Sequence, residues 1–232
     1  QKESVLKDVS GLVSDGKTDQ AIDVLEKSVA NSFSEQGFMA LLNLVLASGQ
    51  YSKAIKLIDK VEKTGKASFT TKMMKGYAYF LSDDHKAAIN IYEALLKEHP
   101  DKSDVVRSNI ASIYLEEETQ LEKAEEIYKD ILENSQLTTT YNVLINLGYA
   151  QMKLGKLEEA IINEKTALEQ IPKKGDFSSL FALAHYVIGV SYYKNNKADN
   201  AREELQIAKR YTNSDEFNNK IDQVLNNLIS TT

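Results

Sequence analysis

Apolar and polar positions recur in one fixed order along the chain. Residues 146–161 read NLGYAQMKLGKLEEAI, in which Gly148 follows a leucine and Ala160 lies twelve residues further on. The same order and spacing return from Gly76 to Ala88. Because apolar residues at intervals of three and four fall on one face of a helix, each copy predicts two amphipathic helices joined by a short turn.

The order occurs six times, counted by the alanine that each copy carries in its second helix. The intervals between successive alanines are 33, 34, 36, 36 and 41 residues. The first copy is the most eroded, the fourth has one extra residue in its turn, and an insertion near 173–179 lengthens the last interval. A single helix pair cannot bury its apolar face, so we expect the copies to stack. The alanines are Ala21, Ala54, Ala88, Ala124, Ala160 and Ala201.

The repeat resembles the tetratricopeptide family, whose motif of about 34 residues reads Leu-Gly-x-x-Tyr, then Ala-x-x-x-Phe, then Pro. The resemblance covers roughly residues 2–212, although the chain lacks tryptophan. It implies an all-α, right-handed superhelical solenoid of antiparallel helix pairs, in a single domain over residues 1–232. The implied repeats span 2–34, 35–68, 69–102, 103–138, 141–174 and 182–213, and an amphipathic helix at 214–230 is expected to cap them.

Small residues indicate where the two helices of a pair approach closely. We expect Gly148 to face Ala160 at the crossing point, where a larger side chain would push the helices apart. Gly155, between them, is expected to take the left-handed conformation that ends the first helix. Asn195-Asn196 should serve the same purpose in the sixth copy, since asparagine tolerates that conformation.

Composition narrows the classes of function. The chain has 232 residues and a net charge of −6, which argues against general binding of nucleic acid. It has no cysteine, which excludes disulfides, thiol catalysis and thiolate metal ligands, and it has no apolar run long enough to span a membrane. Because the sequence begins at Gln1 rather than Met, we expect that an upstream segment was removed. We favour an exported or envelope-associated protein, with a cytoplasmic one as the alternative.

Side chains that could carry catalysis or hold a metal are scattered. The three histidines are His85, His99 and His185, and none has a second histidine or an acidic residue three or four positions away. No glycine-rich phosphate loop and no Gly-x-Ser-x-Gly motif occurs. We therefore predict a protein that is not an enzyme and that has neither a metal nor a cofactor.

In tetratricopeptide proteins the first helix of each pair lines the concave face, which implies a binding groove in this chain. Helical spacing puts aromatic, methionine and asparagine side chains on that face. Rings and thioethers suit contact surfaces, and amides can bond an extended peptide backbone. Asn109 and Asn146 fall at matching places in successive copies. The predicted peptide-binding residues are Met39, Asn43, Met73, Tyr77, Phe80, Asn109, Asn142, Asn146, Tyr149, Lys153, Tyr186 and Tyr193.

The sequence thus predicts a protein–protein interaction module that binds a peptide or a helix of a partner, of unknown identity, in its groove. A structural unit of a larger assembly is the second hypothesis. Residues 116–133 carry eight acidic and two basic side chains, and opposite charges would suit end-to-end contact between copies of the chain. A third hypothesis makes the chain the repeat region of a longer regulator or enzyme. The lysines that share one helix face are Lys53, Lys56, Lys60 and Lys63.

Overall fold

The computed structural model describes residues 2–230, and within that range thirteen α-helices and one 3₁₀ helix make up the regular structure, without a strand. No helix of this range is long and apolar enough to cross a membrane. The chain divides into two compact units between Val106 and Arg107. The α-helices are α1 Lys2–Ser14, α2 Thr18–Asn31, α3 Glu35–Ala47, α4 Tyr51–Lys63, α5 Phe69–Leu81, α6 His85–Glu98, α7 Ser103–Glu117, α8 Leu121–Asn134, α9 Tyr141–Lys153, α10 Leu157–Gln170, α11 Ser178–Lys194, α12 Ala198–Tyr211 and α13 Asp215–Ser230.

The first unit contains α1 to α6, the 3₁₀ helix Pro100–Lys102 and the first turn of α7. Side-chain caps start several of its helices: the Ser68 hydroxyl accepts a hydrogen bond from the Thr71 N–H at 3.2 Å, and Asp84 accepts one from Ala87 at 3.1 Å. Such caps satisfy N–H groups that have no partner within the helix. Consecutive helices pack around one apolar cluster, whose fully enclosed members include Leu25, Phe38, Leu41, Leu42, Val45 and Ile58.

The second unit contains the rest of α7 and the helices α8 to α13. Here α9 packs against both α8 and α10, and α11 packs against α10 and α12. The helix α11 is 17 residues long and begins at Ser178, four residues before the predicted start of the sixth repeat. The insertion near 173–179 therefore supplies the first residues of this longer helix.

Where the two helices of a pair cross, the side chain that packs against the glycine of the motif lies sixteen positions after it. A Cβ atom built on Gly76 would lie 2.6 Å from the ring of Tyr92, and one built on Gly189 would lie 2.7 Å from Leu205 Cγ. Carbon atoms do not approach that closely without displacement, so glycine is what allows the two helices to meet there.

The side chain nearest to Gly148 is that of Glu164, which lies one turn beyond the Ala160 that we predicted at this crossing. A Cβ atom on Gly148 would lie 2.9 Å from both Cγ and Cδ of Glu164. Helical side chains lean toward the N-terminus of their helix, so the residue one turn beyond Ala160 covers the glycine. Ala160 is itself fully buried and packs in an apolar cluster with Met152.

Left-handed residues end the first helices, as predicted. Gly155 has a φ of 80°, and its N–H donates to the carbonyl of Met152 at 3.1 Å. In the sixth pair Asn196 takes this role with a φ of 60°, whereas Asn195 has a negative φ of −94°. The same backbone hydrogen bond then runs from Asn196 to Tyr193. Asparagine tolerates this conformation better than most residues, which explains its use here.

A buried carboxylate, Glu125 of α8, ties three helices of the second unit together. Its Oε1 accepts a hydrogen bond from Lys156 Nζ at 2.6 Å, and its Oε2 lies 3.3 Å from both Lys129 Nζ and Gln151 Nε2. Burial would raise the pKa of Glu125, but the hydrogen bonds from Lys156, Lys129 and Gln151 outweigh it and lower the pKa below its usual range. Gln151 extends the network to Asn163 of α10, whose Nδ2 donates to its Oε1 at 2.6 Å.

Glu125→Gln should lower the free energy of unfolding at pH 7 by about 1–2 kcal/mol, because charged hydrogen bonds are lost from a buried site whose lysines remain partly screened. A lowered folded-state pKa gives stability that is complete above about pH 4.3, the ordinary pKa of glutamate, and is lost as the pH falls through the folded value. Urea unfolding from pH 3 to 7 should therefore show a smaller acid-side loss in Glu125→Gln than in the parent. The exposed neighbour Glu126→Gln is the control, and an equal effect there would contradict the prediction.

The C-terminal helix α13 is an integral part of the second unit. It packs against α11 and α12 and buries Ile221 and Leu228. The polar side of the helix is partly engaged, because Asp222 Oδ1 accepts a hydrogen bond from Lys209 Nζ at 2.7 Å. Asn218 Oδ1 is buried with no hydrogen-bond partner among the described residues.

Candidate functional site

The predicted binding residues of the first unit lie on α3 and α5. Tyr77 is exposed over 43% of its surface, and its ring stacks on Phe80 with centroids 6.3 Å apart and an interplanar angle of 22°. Phe80 in turn stacks on His85 at 5.3 Å. Asn43 is exposed, whereas Met39 and Met73 are half-buried and Met39 packs against the apolar core. The accessible part of this surface is therefore an aromatic stack on α5 with an amide on α3.

In the second unit, the predicted residues Tyr149 and Lys153 lie one helical turn apart on α9 and contact each other. Lys153 Nζ lies 5.7 Å from the centroid of the Tyr149 ring, which is cation–π distance. The same ammonium group pairs with Glu118 Oε1 at 2.6 Å. Burial raises the pKa of Tyr149, and the negative charges of Glu118 and Glu116 raise it further. The phenol therefore stays protonated and can donate a hydrogen bond.

Tyr186 of α11 belongs to the same site. Its ring contacts that of Phe217 with centroids 5.1 Å apart, and burial is the main cause that raises its pKa. Tyr149 also raises the pKa of Tyr186 while Lys153 lowers it, so the three groups lie within electrostatic reach of one another. Tyr149, Tyr186 and Tyr193 all pack against one apolar cluster. The structure thus brings Tyr149, Lys153 and Tyr186 together.

The predicted asparagines differ in their surroundings. Asn142 is exposed, and Asn109 and Asn146 are half-buried. The side chain of Asn146 lies close to the hydroxyl of Tyr128, whose pKa burial raises to about 12 while Ser112 and Asn146 lower it. Asn146 therefore has a contact within the fold as well as an accessible part.

Three residues that contact this site were not in the predicted set. Glu118 lies in the turn after α7, Lys194 ends α11, and Phe217 lies on α13. Lys194 Nζ donates to the carbonyl of Met152 at 3.4 Å. The extra residue in the turn of the fourth copy indicated an unusual turn at Glu118. Lys194 lies eight residues after Tyr186, so the two share one face of α11.

Groups typical of a metal site do not occur in the part of the chain that the structure describes. Across residues 2–230, no three histidine or acidic side chains come together in the way that a metal ion requires. His185 instead pairs with a carboxylate: its Nδ1 lies 2.6 Å from Glu204 Oε2. Its ring also stacks on Tyr211. This histidine is thus held by contacts within the fold.

Comparison with solved structures identifies the same architecture in other proteins. A tetratricopeptide repeat protein from Parabacteroides merdae is 13% identical, with a TM-score of 0.59 over 98% of each chain. The apo form of the quorum sensor NprR from B. thuringiensis is 18% identical, with a TM-score of 0.69 over 96% of this chain and 68% of its own. MamA (AMB-1) is 22% identical, with a TM-score of 0.56 over 72% of this chain and 92% of its own. At these identities the likeness concerns the fold.

Family models described as tetratricopeptide repeat match residues 39–103 and 141–174. No curated protein matches the sequence. The helix pairs and the similar structures confirm the predicted all-α solenoid class, which is the fold of protein–protein interaction modules. The chain therefore carries tetratricopeptide repeats in both matched segments, within a helix-pair fold that continues outside them.

Proposed function

We propose that the chain is a non-enzymatic module that holds an extended peptide or a helix of a partner protein against the first helices of its pairs. The observation that carries this proposal is the cluster of Tyr149, Lys153 and Tyr186 in the second unit. Tyrosine rings supply rigid contact area with a polar tip, and the ammonium group adds charge recognition. Membership of a family of interaction scaffolds supports the same proposal.

Asparagines of α9 would bond the backbone of the bound segment. Asn142 and Asn146 lie one helical turn apart and next to the tyrosine cluster in sequence. A carboxamide both donates and accepts hydrogen bonds, so it can satisfy an N–H and a C=O group of an extended peptide. Asn109 on α7 and Tyr193 on α11 belong to the same proposed surface of the second unit. The first unit would offer a separate contact surface with the stacked rings of Tyr77 and Phe80, to which we also assign Met39, Asn43 and Met73.

Selection from a random-peptide display library tests this function without a known partner. A peptide recovered on the wild-type chain is synthesised and titrated by calorimetry. Asn146→Ala should weaken its binding by about 0.5–1.5 kcal/mol, the range for one neutral hydrogen bond. Tyr149→Ala should cost about 2 kcal/mol, as expected for a central aromatic anchor. Tyr128→Phe is the matched control for Asn146, because it removes the contact within the fold and leaves the amide in place.

Lys60→Ala, a change on an exposed part of α4, should leave the affinity unchanged. A loss of affinity in Lys60→Ala, with unchanged binding in Asn146→Ala and Tyr149→Ala, would contradict the proposal. That outcome would favour the assembly hypothesis, in which the lysine face of α4 makes the contact. Failure of the wild-type chain to select any peptide would also contradict it.

A further inference from the structure

The turn that follows α7 holds a glutamate in a backbone conformation that favours glycine. Glu118 has a φ of 52°, and its N–H donates to the Leu115 carbonyl at 3.2 Å. The same hydrogen bond is made after α9 by Gly155, whose φ is 80°. A left-handed conformation is unfavourable for a residue with a Cβ atom and a long side chain. The fold thus keeps a carboxylate at a position where glycine would be better accommodated, and such a position is a candidate for function.

The carboxylate of Glu118 is directed to the tyrosine cluster. It pairs with Lys153 at 2.6 Å, and that ammonium group also lies over the Tyr149 ring. The side chain of Glu118 is 53% exposed, so water and other solutes reach this ion pair. An ion pair of this exposure contributes little to stability and can exchange partners.

A second ammonium group lies beside the first. Lys194 Nζ approaches the carbonyl of Met152, the residue before Lys153. Loss of hydration lowers the pKa of Lys194, the charge of Lys153 lowers it further, and Glu118 acts in the opposite direction. Glu118 forms an ion pair with Lys153 and lies within electrostatic reach of Lys194, so a carboxylate that replaced Glu118 could interact with both ammonium groups.

We propose that Glu118 occupies the place of an acidic side chain of the bound partner, and that an aspartate or glutamate of that partner displaces it between Lys153 and Lys194. The inference rests on the proposed function, because it assumes a peptide on the tyrosine cluster. The carboxylate of the incoming side chain accepts hydrogen bonds from the two ammonium groups, while Tyr149 and Tyr186 contact the adjacent part of the segment. The two lysines thereby define which peptides the surface prefers.

The test uses a random-peptide library fused to its carrier through the peptide C-terminus, so that carboxylates come from side chains alone. Peptides selected on the wild-type chain should be enriched in aspartate or glutamate at one position. A selected peptide is then synthesised in its acidic form and with that residue replaced by the corresponding amide. The acidic form should bind about tenfold more tightly to the wild-type chain, as expected for hydrogen bonds to charged groups. On Lys194→Gln the difference between the two forms should shrink, because only Lys153 remains to bind the carboxylate, whereas the exposed Lys123→Gln should retain the full difference.

Glu118→Gln removes the internal competitor, so it should raise the affinity for the acidic peptide about two- to fivefold, the range for an exposed ion pair. Glu118→Gly, a residue that suits the left-handed turn, should act in the same direction. Weaker binding in both variants would overturn the displacement, because the carboxylate would then be part of the binding surface.

Peptides without an acidic preference that still depend on Tyr149 would overturn this inference alone. An acidic preference seen only with a free peptide C-terminus would also overturn it. Absence of any selected peptide would overturn the proposed function with it.

Discussion

Gly76→Leu should lower the free energy of unfolding by about 3 kcal/mol, at the upper end of the range for overpacked cores. A Cβ atom at this position would already lie 2.6 Å and 2.7 Å from two ring atoms of Tyr92. Tyr92 is only 2% exposed, so its ring has no free space into which it can retreat. The larger side chain must therefore separate α5 from α6. Urea unfolding with the m-value recorded is the measurement.

Gly11→Leu is the matched control, because it makes the same substitution within a helix of the same unit. Gly11 is exposed on α1, and a Cβ atom there would meet nothing within 4 Å. Leucine has the higher helix propensity, so this variant should be stabilised by about 0.5–1 kcal/mol. Equal midpoints for the two variants would show that the close approach of α5 and α6 does not limit the residue at position 76.

Glu164→Leu should raise the free energy of unfolding at pH 7 by about 2 kcal/mol, the middle of the range for burying a polar group without a hydrogen bond. Glu164 is fully buried, and neither carboxyl oxygen has a hydrogen-bond partner among the described residues. Leucine fits this kind of crossing, since Leu205 packs in the same way on Gly189. The exposed Glu169→Leu of the same helix is the control and should change stability little. A destabilised Glu164→Leu would contradict the argument.

Glu164 should also give stability a pH dependence opposite to that of Glu125. Burial raises the pKa of Glu164 well above its ordinary range. The folded state then binds a proton that the unfolded state releases above about pH 4.3, so stability falls as the pH rises from that value toward the folded pKa. Glu164→Gln, which cannot ionise, should lack this decline between pH 5 and 8. A parallel decline in the parent and in Glu164→Gln would assign the slope to other groups.

The lysine of α9 and the histidine of α11 each have a carboxylate partner other than Glu164. Lys153 pairs with Glu118, and His185 pairs with Glu204. Burial is the single cause of the raised pKa of Glu164, so none of these charges compensates it. In sequence the residue lies between Ala160 and Ala167, which belong to two separate apolar clusters. An unsatisfied carboxyl thus interrupts an otherwise apolar contact.

The sequence analysis did not identify the residue that packs against Gly148 in the fifth copy. The matching positions of the other copies hold buried Leu25, Ile58, Tyr92, Tyr128 and Leu205, and Glu164 is the exception. In sequence Glu164 is one of many glutamates on helices, and its charge predicts exposure. Its register within the repeat matches buried positions of the other copies, but its contact with Gly148 of α9 is visible only in the packed structure.

The sequence alone determined the helix pairs, the left-handed turns at Gly155 and Asn196, and the tetratricopeptide repeat pattern. These features depend on residues close together in the chain, where helical periodicity and the conformational freedom of single residues decide the outcome. Only the tertiary structure decided that Glu118 meets Lys153 and that Lys194 lies beside them. These partners are separated by 35 and 41 positions and meet only once α7, α9 and α11 have packed. The apolar pattern specifies which helix faces are buried. The ion pairs of long charged side chains depend on which charged ends lie close together after the helices have packed.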